Sequence, residues 1–516
     1  MLHTDLIATI PELLRRHAAQ RGSKVAYEDA TTSVTYRDLE RRTGNLASHL
    51  AGLGVAPGQS VAMLLPNSVA WMEVCFAIAR AGAVAVPISY DASEPEIAYR
   101  LADADCRLIV TTDEKAGLAA RLRSDVPSLA TVVLADRGPR DAAVPALRLE
   151  GLLSQPGKSA PRDLQRLDDH AFIIYTSGTT GRAKGVILTV RGMLWVVAAC
   201  WAPICGLSDS DHVLSPLPLF HSYALNLSVL GVLAAGASEF IMERFSTADV
   251  LQHLGTGRFT VMPGVPTMFH YLLQRAKEED GPRPPGMRLF ISAGAIMPAT
   301  LNREFEAHFG VPLLDGYGIT ETSTMVTMNW PTGGRVLGSC GFPVPGLAVR
   351  IVDPLSGADV PLGEEGELIV RGPNVMPSYH NKPAETAAAL REGWYRTGDL
   401  ARSDANGFLT ITGRLNELII RGGQNIAPAE IEEAVCTHPS VLDCAVVGIA
   451  HATLGEVPAL FVVPRPQMQI EPDAILAHCR TQLSAYKVPA SVHVAREIPR
   501  TGSGKIMRFK LKELLG

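Results

Sequence analysis

The 516-residue sequence predicts an α/β protein built from a large N-terminal domain of doubly wound sheets with a small β-rich subdomain, and a small mobile C-terminal α/β domain. Three observations predict this fold. Helical segments alternate with short β-branched runs from Thr35 onward, short strands with Gly and Pro turns follow Gly338, and another alternating block follows Arg414. Alternation of strands and helices is typical of largely parallel sheets covered by helices.

The first block of the chain contains strands that follow helices at regular intervals. The helical segment 36–54 ends at the Gly-Val-Ala-Pro-Gly turn of residues 54–58, and the runs VAMLLP, AVAVPI and RLIVTT follow it. A second block of the same kind begins at Asp211 with HVLSPLPLF and continues through FTVMPGVP to MRLFISAG. We therefore expect two sheets in the N-terminal domain.

The pattern of strand and helix signals in the sequence changes twice more. After Gly338 the runs GFPVPGLAVRIVD, GELIVRG and GFLTITGR predict the β-rich subdomain. After Arg414 the segments PAEIEEAVCTHP, VLDCAVVGI and DAILAHCRTQL predict a compact α/β unit. We place the N-terminal domain at residues 1–413, a hinge at 414–416 and the C-terminal domain at 417–516.

Composition limits the classes of function. The chain is 47% hydrophobic and 19% charged, which provides a packed core and argues against disorder and coiled coil. The 47 Lys and Arg against 52 Asp and Glu give a net charge of −5, so no global field attracts nucleic acid or anionic lipid. Small molecules are the expected partners.

Cysteine usage and hydropathy predict a cytoplasmic protein. The eight cysteines are dispersed without a CxxC pair, which is typical of reduced thiols in a cytosolic enzyme. The N-terminal residues lack the apolar region of a secretion signal. The longest apolar stretch, residues 192–207, is interrupted by Pro203 and predicts a buried helix rather than a transmembrane segment.

The segment 173–186 (IIYTSGTTGRAKGV) predicts a phosphate-binding turn behind a strand. Its glycines allow backbone N–H groups to approach a phosphate, its hydroxyls donate further hydrogen bonds, and Lys184 adds a positive charge. The spacing of glycine and lysine differs from the Walker pattern. The candidate ligands are Thr176, Ser177, Gly178, Thr179, Thr180, Gly181 and Lys184.

Four further clusters follow in order: DGYGITET at 315–322, GWYRTGDL at 393–400, GRLNELIIRGGQNIAP at 413–428 and PRTGSGK at 499–505. Each alone is compatible with an ordinary turn or salt bridge. Together with the phosphate-binding turn, their order and spacing resemble those of the adenylate-forming superfamily of acyl-CoA synthetases, luciferases and adenylation domains. The resemblance extends over essentially the whole chain and is greatest to the acyl- and aryl-CoA ligase branch.

The resemblance implies roles for individual residues. The turn at 176–184 would hold the β- and γ-phosphates of ATP, with Lys184 and Thr176 taking part in catalysis. Glu321, with Thr176, would bind Mg²⁺, a cation that prefers oxygen ligands. The remaining ATP-binding candidates are Gly294, Ala295, Asp315, Tyr317, Gly318 and Thr320, then Asp399 and Arg414 at the ribose, and Lys505 at the α-phosphate and the substrate carboxylate.

The resemblance also implies two half-reactions. Carboxylate and ATP would give acyl-AMP and pyrophosphate, and the thiol of coenzyme A would then displace AMP. Rotation of the C-terminal domain would exchange Lys505 for Gly422 and Gly423, whose lack of side chains leaves room for the pantetheine arm. The hinge position is Asn416, where relatives usually carry Asp or Lys, and Ala183 and Val190 also depart from the usual pattern.

The acid is expected to be an apolar monocarboxylate, most readily a medium- or long-chain fatty acid. The implied acyl pocket contains His221, Tyr223, Val265 and Met325, with His221 also a catalytic candidate. The resemblance disfavours malonate, because Tyr271 stands about where malonyl-CoA synthetases carry an arginine. Aromatic or alicyclic acids, a carrier-protein acceptor in place of CoA, a luciferase-like oxygenation, a catalytically silent scaffold and a homodimer are left open.

Overall fold

The computed structural model describes residues 2–136, 146–176, 183–278, 284–422, 424–501 and 506–515. Four sheets organise this part of the chain. The predicted α/β fold class is confirmed, with two large, mostly parallel sheets in the N-terminal part and two smaller sheets after residue 347.

The first large sheet has seven strands. They run parallel except for the edge strand that follows the turn after Thr176, which is antiparallel to its neighbour. In spatial order the strands are Leu147–Arg148, Thr131–Ala135, Leu108–Thr112, Ser60–Met63, Val84–Pro87, His170–Thr176 and Lys184–Thr189.

The second large sheet has nine strands, with parallel strands at its centre and antiparallel pairs at both ends. In spatial order the strands are Phe342–Pro343, Thr327–Met328, Leu313–Tyr317, Leu289–Ser292, Val261–Gly264, His212–Ser215, Ser238–Ile241, Val25–Glu28 and Ser33–Thr35. The alternating blocks of the sequence therefore correspond to these two sheets.

Two five-stranded sheets follow. The third sheet is antiparallel and contains Ala348–Val352, Gly366–Arg371, Leu390–Arg391, Trp394–Ser403 and Leu409–Arg414. The fourth contains Ile419–Arg421, Gln424–Ile426, Val441–His451, Gly455–Pro464 and Ser491–Val494. One 3₁₀ turn, Leu415–Glu417, connects them, and the division into domains at 414–416 stays a prediction.

Helices cover the sheets. The helix Val69–Arg80 is buried almost entirely, because its apolar residues face neighbours on all sides, and Ser68 accepts a hydrogen bond from Trp71 at its N-terminus. The other α-helices are Ile10–Arg21, Tyr36–Gly52, Glu94–Asp103, Ala116–Asp125, Leu149–Ser154, Val190–Val196, Ser222–Ala224, Val232–Ala235, Thr247–Gly255, Pro266–Glu278, Ala299–Phe309, Pro383–Ala389, Pro428–Cys436, Pro472–Gln482 and Arg508–Glu513.

The apolar stretch 192–207 is buried, as predicted. It begins in the helix Val190–Val196 and continues as a π-helical turn, Val197–Trp201, whose five residues are all buried. In the described ranges, no helix combines the length and the hydropathy that crossing a membrane requires.

Candidate active site

The carboxyl ends of neighbouring parallel strands place the predicted adenine-binding residues together. The strands Leu289–Ser292 and Leu313–Tyr317 are paired, so Gly294 and Tyr317 emerge at the same edge of the nine-stranded sheet. Gly294 has a φ of +87°, a conformation that favours glycine. A cavity of about 790 Å³, here called the central cavity, has Gly294, Ala295, Asp315, Tyr317 and Gly318 in its wall.

Asp315 offers an unused acceptor to this cavity. Its side chain is 7% exposed, and within the described ranges its Oδ1 is buried without a hydrogen-bond partner. Burial raises the pKa of its carboxyl group well above the ordinary value. A buried polar atom of this kind is costly unless a ligand satisfies it, and the amino group of adenine is a suitable donor. The site therefore fits ATP at this end.

Asp399 is the most deeply buried of the predicted nucleotide ligands that the structure describes. It is 1% exposed and pairs with Arg414 across two antiparallel strands, with 2.7 Å between Oδ1 and the arginine Nε. The hydroxyl of Tyr317 donates to Oδ2 at 2.5 Å, and burial together with Asp399 raises the pKa of Tyr317. All three residues line the central cavity. The three side chains thus form one hydrogen-bonded group at the predicted ribose position.

The predicted phosphate-binding turn is the connection of an antiparallel hairpin. The strands His170–Thr176 and Lys184–Thr189 pair so that Thr176 and Lys184 are direct partners at the open end. Lys184 Nζ lies 5.2 Å from the centre of the Tyr379 ring. The other candidates in this turn, Ser177, Gly178, Thr179, Thr180 and Gly181, lie outside the described residues.

Glu321 lies next to the side of Tyr379 that carries its hydroxyl. Tyr379 Oη donates to Glu321 Oε1 at 3.0 Å, and burial raises the pKa of this carboxyl group. The neighbouring Thr320 hydroxyl is 3.2 Å from the hydroxyl of Ser222. Tyr379 therefore links the predicted metal ligand to the lysine of the phosphate-binding hairpin.

The described residues bring no three metal-ligating side chains together, so they supply no complete metal site. Glu321 and Thr176 provide hard oxygen donors of the type that Mg²⁺ prefers. A Mg²⁺ ion that keeps waters and binds substrate phosphates fits such a sparse donor set.

The predicted acyl-pocket residues are closely packed. Tyr223 is 9% exposed and its hydroxyl donates to the backbone oxygen of Ile291 at 2.9 Å, while Val265 and Met325 are also buried. A Cβ atom added at Gly316 would lie 2.5 Å from Met325 Cε, so this glycine makes room for the methionine. Tyr223, Val265 and Met325 do not line the central cavity.

His221 precedes the helix Ser222–Ala224 and stacks on Phe220, with 4.3 Å between the ring centres. Burial, assisted by the positive charge of Arg100, lowers the pKa of His221 to about 4. The ring is therefore neutral near pH 7. It does not line the central cavity.

The C-terminal candidates divide into two groups. Arg500 and Ile506, which flank the predicted lysine segment, line the central cavity together with Tyr317 and Asp399. Gly422 does not line it; its N–H donates to the backbone oxygen of Leu454 at 2.7 Å. Asn416 lies in the connecting 3₁₀ turn. Lys505 and Gly423 lie outside the described residues.

Sequence reasoning missed two residues near these groups. Tyr379 stands in no recognised motif, and its contacts become visible only where it forms a bridge with Val186 of the hairpin. Arg100 has a buried Nε without a partner in the described ranges, and its nearest acid, Glu96, is 3.8 Å away. Arg100 is the one arginine of the amphipathic helix Glu94–Asp103, and no motif in the sequence indicates that its Nε is buried.

Two family matches cover most of the chain. The AMP-binding enzyme family matches residues 14–380, and the AMP-binding enzyme C-terminal domain matches residues 430–505. The sequence is 35% identical to a feruloyl-CoA synthase of Amycolatopsis sp over 502 residues, which cover 97% of this chain and 98% of the relative.

Solved structures have the same fold. The anthranilate CoA ligase AuaEII in complex with anthranoyl-AMP matches with a TM-score of 0.90 at 27% identity, over 98% of this chain and 97% of the other. ATP-bound MatB from Rhodopseudomonas palustris matches with a TM-score of 0.88 at 31% identity, over 98% of both chains. The chain therefore belongs to the AMP-binding enzyme family and is an AMP-forming acid–thiol ligase of the acyl- and aryl-CoA ligase type.

Proposed function

We propose that the protein joins an apolar monocarboxylic acid to coenzyme A through an acyl adenylate, at the expense of ATP. One observation carries the nucleotide part of this proposal. Asp399, Tyr317 and Arg414, which are bonded to one another, line the same cavity as Asp315, whose Oδ1 has no hydrogen-bond partner within the described ranges. These are the hydrogen-bonding groups that a ribose and an adenine amino group require, arranged within one cavity.

Each group has a distinct task in the first half-reaction. Asp315 accepts from the adenine amino group, and Asp399 accepts from the ribose hydroxyls while Arg414 keeps its charge balanced. Lys184 attracts the phosphates at the mouth of the hairpin, and Lys505 approaches the α-phosphate, where negative charge increases as the carboxylate attacks. Mg²⁺, held through Glu321, would neutralise phosphate charge. Positioning and charge stabilisation suffice, so no nucleophilic side chain is needed.

The second half-reaction needs a different arrangement of the C-terminal part. We propose a pivot at Asn416 within residues 414–416, between an N-terminal domain of residues 1–413 and a C-terminal domain of residues 417–516. The orientation described here has Arg500 and Ile506 at the central cavity and Gly422 away from it, which supports the adenylating arrangement. Rotation would bring Gly422 and Gly423 to the pantetheine arm.

The acid is best described as a compact aromatic or alicyclic monocarboxylate. Tyr223 is fixed by its bond to Ile291 and packs against Trp201, with 6.1 Å between the ring centres, and this rigid packing favours a compact acid over a long chain. The only two cations of the segment 218–272, Arg244 and Arg258, pair with Asp91 and Glu28 elsewhere. A second carboxylate therefore finds no counter-ion on this segment.

A medium- or long-chain fatty acid is the second candidate, since the apolar lining of the pocket suits it and each buried CH₂ contributes about 0.8 kcal/mol. A screen for pyrophosphate release over benzoic, cinnamic, alicyclic and fatty acids decides between them. We expect the highest kcat/KM with a ring acid. Highest activity with fatty acids would establish the second candidate, and no release with any acid would refute adenylation.

The thiol acceptor needs a separate experiment. With the best acid, free CoA and a pantetheine-loaded carrier protein are supplied in parallel, and the acylated product is identified by mass spectrometry. We expect acyl-CoA. Product on the carrier protein alone would refute CoA as the acceptor.

A further inference from the structure

Two cysteines of the C-terminal part have their sulfur atoms close to each other. Cys436 ends the helix Pro428–Cys436 and Cys444 lies in the strand Val441–His451, and their Sγ atoms are 3.5 Å apart. A disulfide bond is about 2.05 Å long, so the two sulfurs need to approach by only about 1.5 Å.

Access distinguishes this pair from the other thiols. Cys436 is exposed, whereas the seven other cysteines of the chain are buried. Cys200 and Cys205 also interact with each other, but they are 0% and 2% exposed. An oxidant in solution therefore reaches Cys436, and Cys444 is the thiol placed to react with it next.

The position of the pair connects it to the active site. Cys436 and Cys444 both line the central cavity, as does Asp443. Arg500 Nη2 donates to both carboxylate oxygens of Asp443, at 2.9 and 3.1 Å, and Arg500 immediately precedes the TGSGK segment that carries Lys505. A displacement of Cys444 would therefore move its neighbour Asp443, which binds Arg500 at the start of the segment that carries Lys505.

We propose that Cys436 and Cys444 are a modification site, an oxidisable dithiol that a peroxide converts reversibly to a disulfide, and that the disulfide slows acyl-adenylate formation. The effect on acyl-adenylate formation rests on the proposed function, whereas the oxidation of the two thiols does not.

The chemistry balances with one peroxide. Cys436 loses its thiol proton and the thiolate attacks a peroxide oxygen; the O–O bond breaks, a sulfenic acid forms, and the departing hydroxide takes up that proton to give water. The Cys444 sulfur then attacks the sulfenic sulfur, the S–O bond breaks, and a second water leaves as the S–S bond forms. Two thiols are oxidised and one hydrogen peroxide is reduced to two waters. The bond to Cys436 and burial raise the pKa of Cys444, so its sulfur carries a proton, which leaves with the hydroxyl group in the second water.

The test uses the full-length protein treated with hydrogen peroxide, with free thiols then alkylated and the peptides mapped by mass spectrometry. We expect the tryptic peptide that contains both residues 436 and 444 to carry an internal disulfide with neither thiol alkylated, while Cys200 and Cys205 are still alkylated after denaturation. Dithiothreitol should remove the cross-link. Oxidation of Cys436 to sulfinic acid without a cross-link would overturn the proposal.

Activity is measured on the same samples as pyrophosphate release. We expect a several-fold lower rate in the cross-linked protein, recovery with dithiothreitol, and no loss in Cys436→Ser, whose exposed position allows the substitution. Cys205→Ala is the matched control, and peroxide should lower its activity as much as that of the parent protein. A cross-linked protein with an unchanged rate would refute the link to adenylation. If the reduced protein is inactive with every acid, the proposed function fails while the cross-link remains a separate result.

Discussion

Asp399 holds a buried negative charge that Arg414 and Tyr317 compensate in the absence of nucleotide. We expect Asp399→Asn to raise the KM for ATP roughly tenfold to a hundredfold, because a hydrogen bond to a charged group contributes about 1.5–3 kcal/mol. The measurement is steady-state pyrophosphate release as a function of ATP concentration.

A second aspartate provides the control for this substitution. Asp359 pairs with Arg350 at the same 2.7 Å distance between Oδ1 and Nε, but its side chain is 65% exposed. Exposed pairs contribute little, so Asp359→Asn should leave KM within about twofold. An equal effect of the two variants would show that Asp399 has no special contact with the nucleotide.

Single residues also show what sequence can and cannot predict. The motifs at 173–186, 315–322 and 393–400 name Thr176, Tyr317 and Asp399 because their order resembles that of the adenylate-forming enzymes. The hydrogen bond between Tyr317 and Asp399 joins positions 82 residues apart, and Tyr379 contacts Glu321 over 58 positions. Such contacts depend on the packing of separate sheets, which no local pattern in the sequence encodes.

The turn that follows the strand Leu313–Tyr317 depends on a glycine. A Cβ atom added at Gly318 would lie 1.3 Å from the backbone oxygen of Thr324, so the backbone itself would have to move. We expect Gly318→Ala to displace the segment that follows Tyr317, to lower stability by about 1–3 kcal/mol and to weaken ATP binding in calorimetry.

Gly334 is the matched control, because a Cβ atom there meets no atom within 4 Å. Gly334→Ala should leave ATP affinity and the melting temperature unchanged. Normal ATP affinity in Gly318→Ala would contradict the role given to this turn.

The first long helix, Ile10–Arg21, contributes a pH-dependent element of stability. His17 is 3% exposed; its Nε2 lies 3.3 Å from the backbone oxygen of Ala234, and Arg21 donates to its Nδ1 at 3.1 Å. A neutral ring satisfies both contacts. Burial, assisted by Arg21, lowers the pKa of His17 to about 4 from 6.5.

The direction of the pH effect follows from this lowered pKa. Between pH 6.5 and 4 the unfolded chain binds a proton at His17 that the folded protein does not, so stability falls as the pH is lowered through this range. From pH 7 to pH 5 the contribution of His17 is a loss of about 2 kcal/mol in the free energy of unfolding. Denaturant titrations at pH 7 and pH 5 should show a smaller difference in the free energy of unfolding for His17→Gln than for the parent protein. An identical pH difference in the variant would contradict the assignment.

The elements were predictable to different extents. Alternating strands and helices predict the two large sheets, because burial of β-branched runs leaves a clear pattern. The antiparallel return of Lys184–Thr189 against His170–Thr176 is less visible, since a glycine- and hydroxyl-rich turn does not show in which direction the chain continues. The length of an apolar run also cannot show that a helix becomes π-helical after Val196.

At the scale of the whole molecule, the two half-reactions are expected to depend on different parts of the C-terminal domain. We expect Lys505→Ala to abolish pyrophosphate release from acid and ATP while sparing transfer of a supplied acyl adenylate to CoA. The reason is that the lysine charge assists attack at phosphorus but not displacement of AMP. Rapid-quench assays of each half-reaction measure the difference.

Lys512→Ala is the control, because Lys512 is an exposed lysine in the helix Arg508–Glu513. It should leave both half-reactions unchanged. Equal loss of both half-reactions in Lys505→Ala would refute the proposed division of labour between domain orientations.

Changes in the sequence pattern predicted the α/β fold class and its β-rich part, but the orientation of the C-terminal part needed coordinates. The pattern near residues 414–417 indicates only where one kind of sequence ends. That Arg500 and Ile506 reach the cavity of Tyr317 and Asp399, while Gly422 does not, follows from tertiary packing.

The most direct test of the account is a crystal structure with ATP and the best acid from the screen. We predict adenine between Gly294 and Tyr317 with its amino group at Asp315, the ribose hydroxyls on Asp399, and the phosphates at the hairpin of Thr176 and Lys184. A nucleotide bound outside the central cavity, with its ribose hydroxyls away from Asp399, would contradict the account.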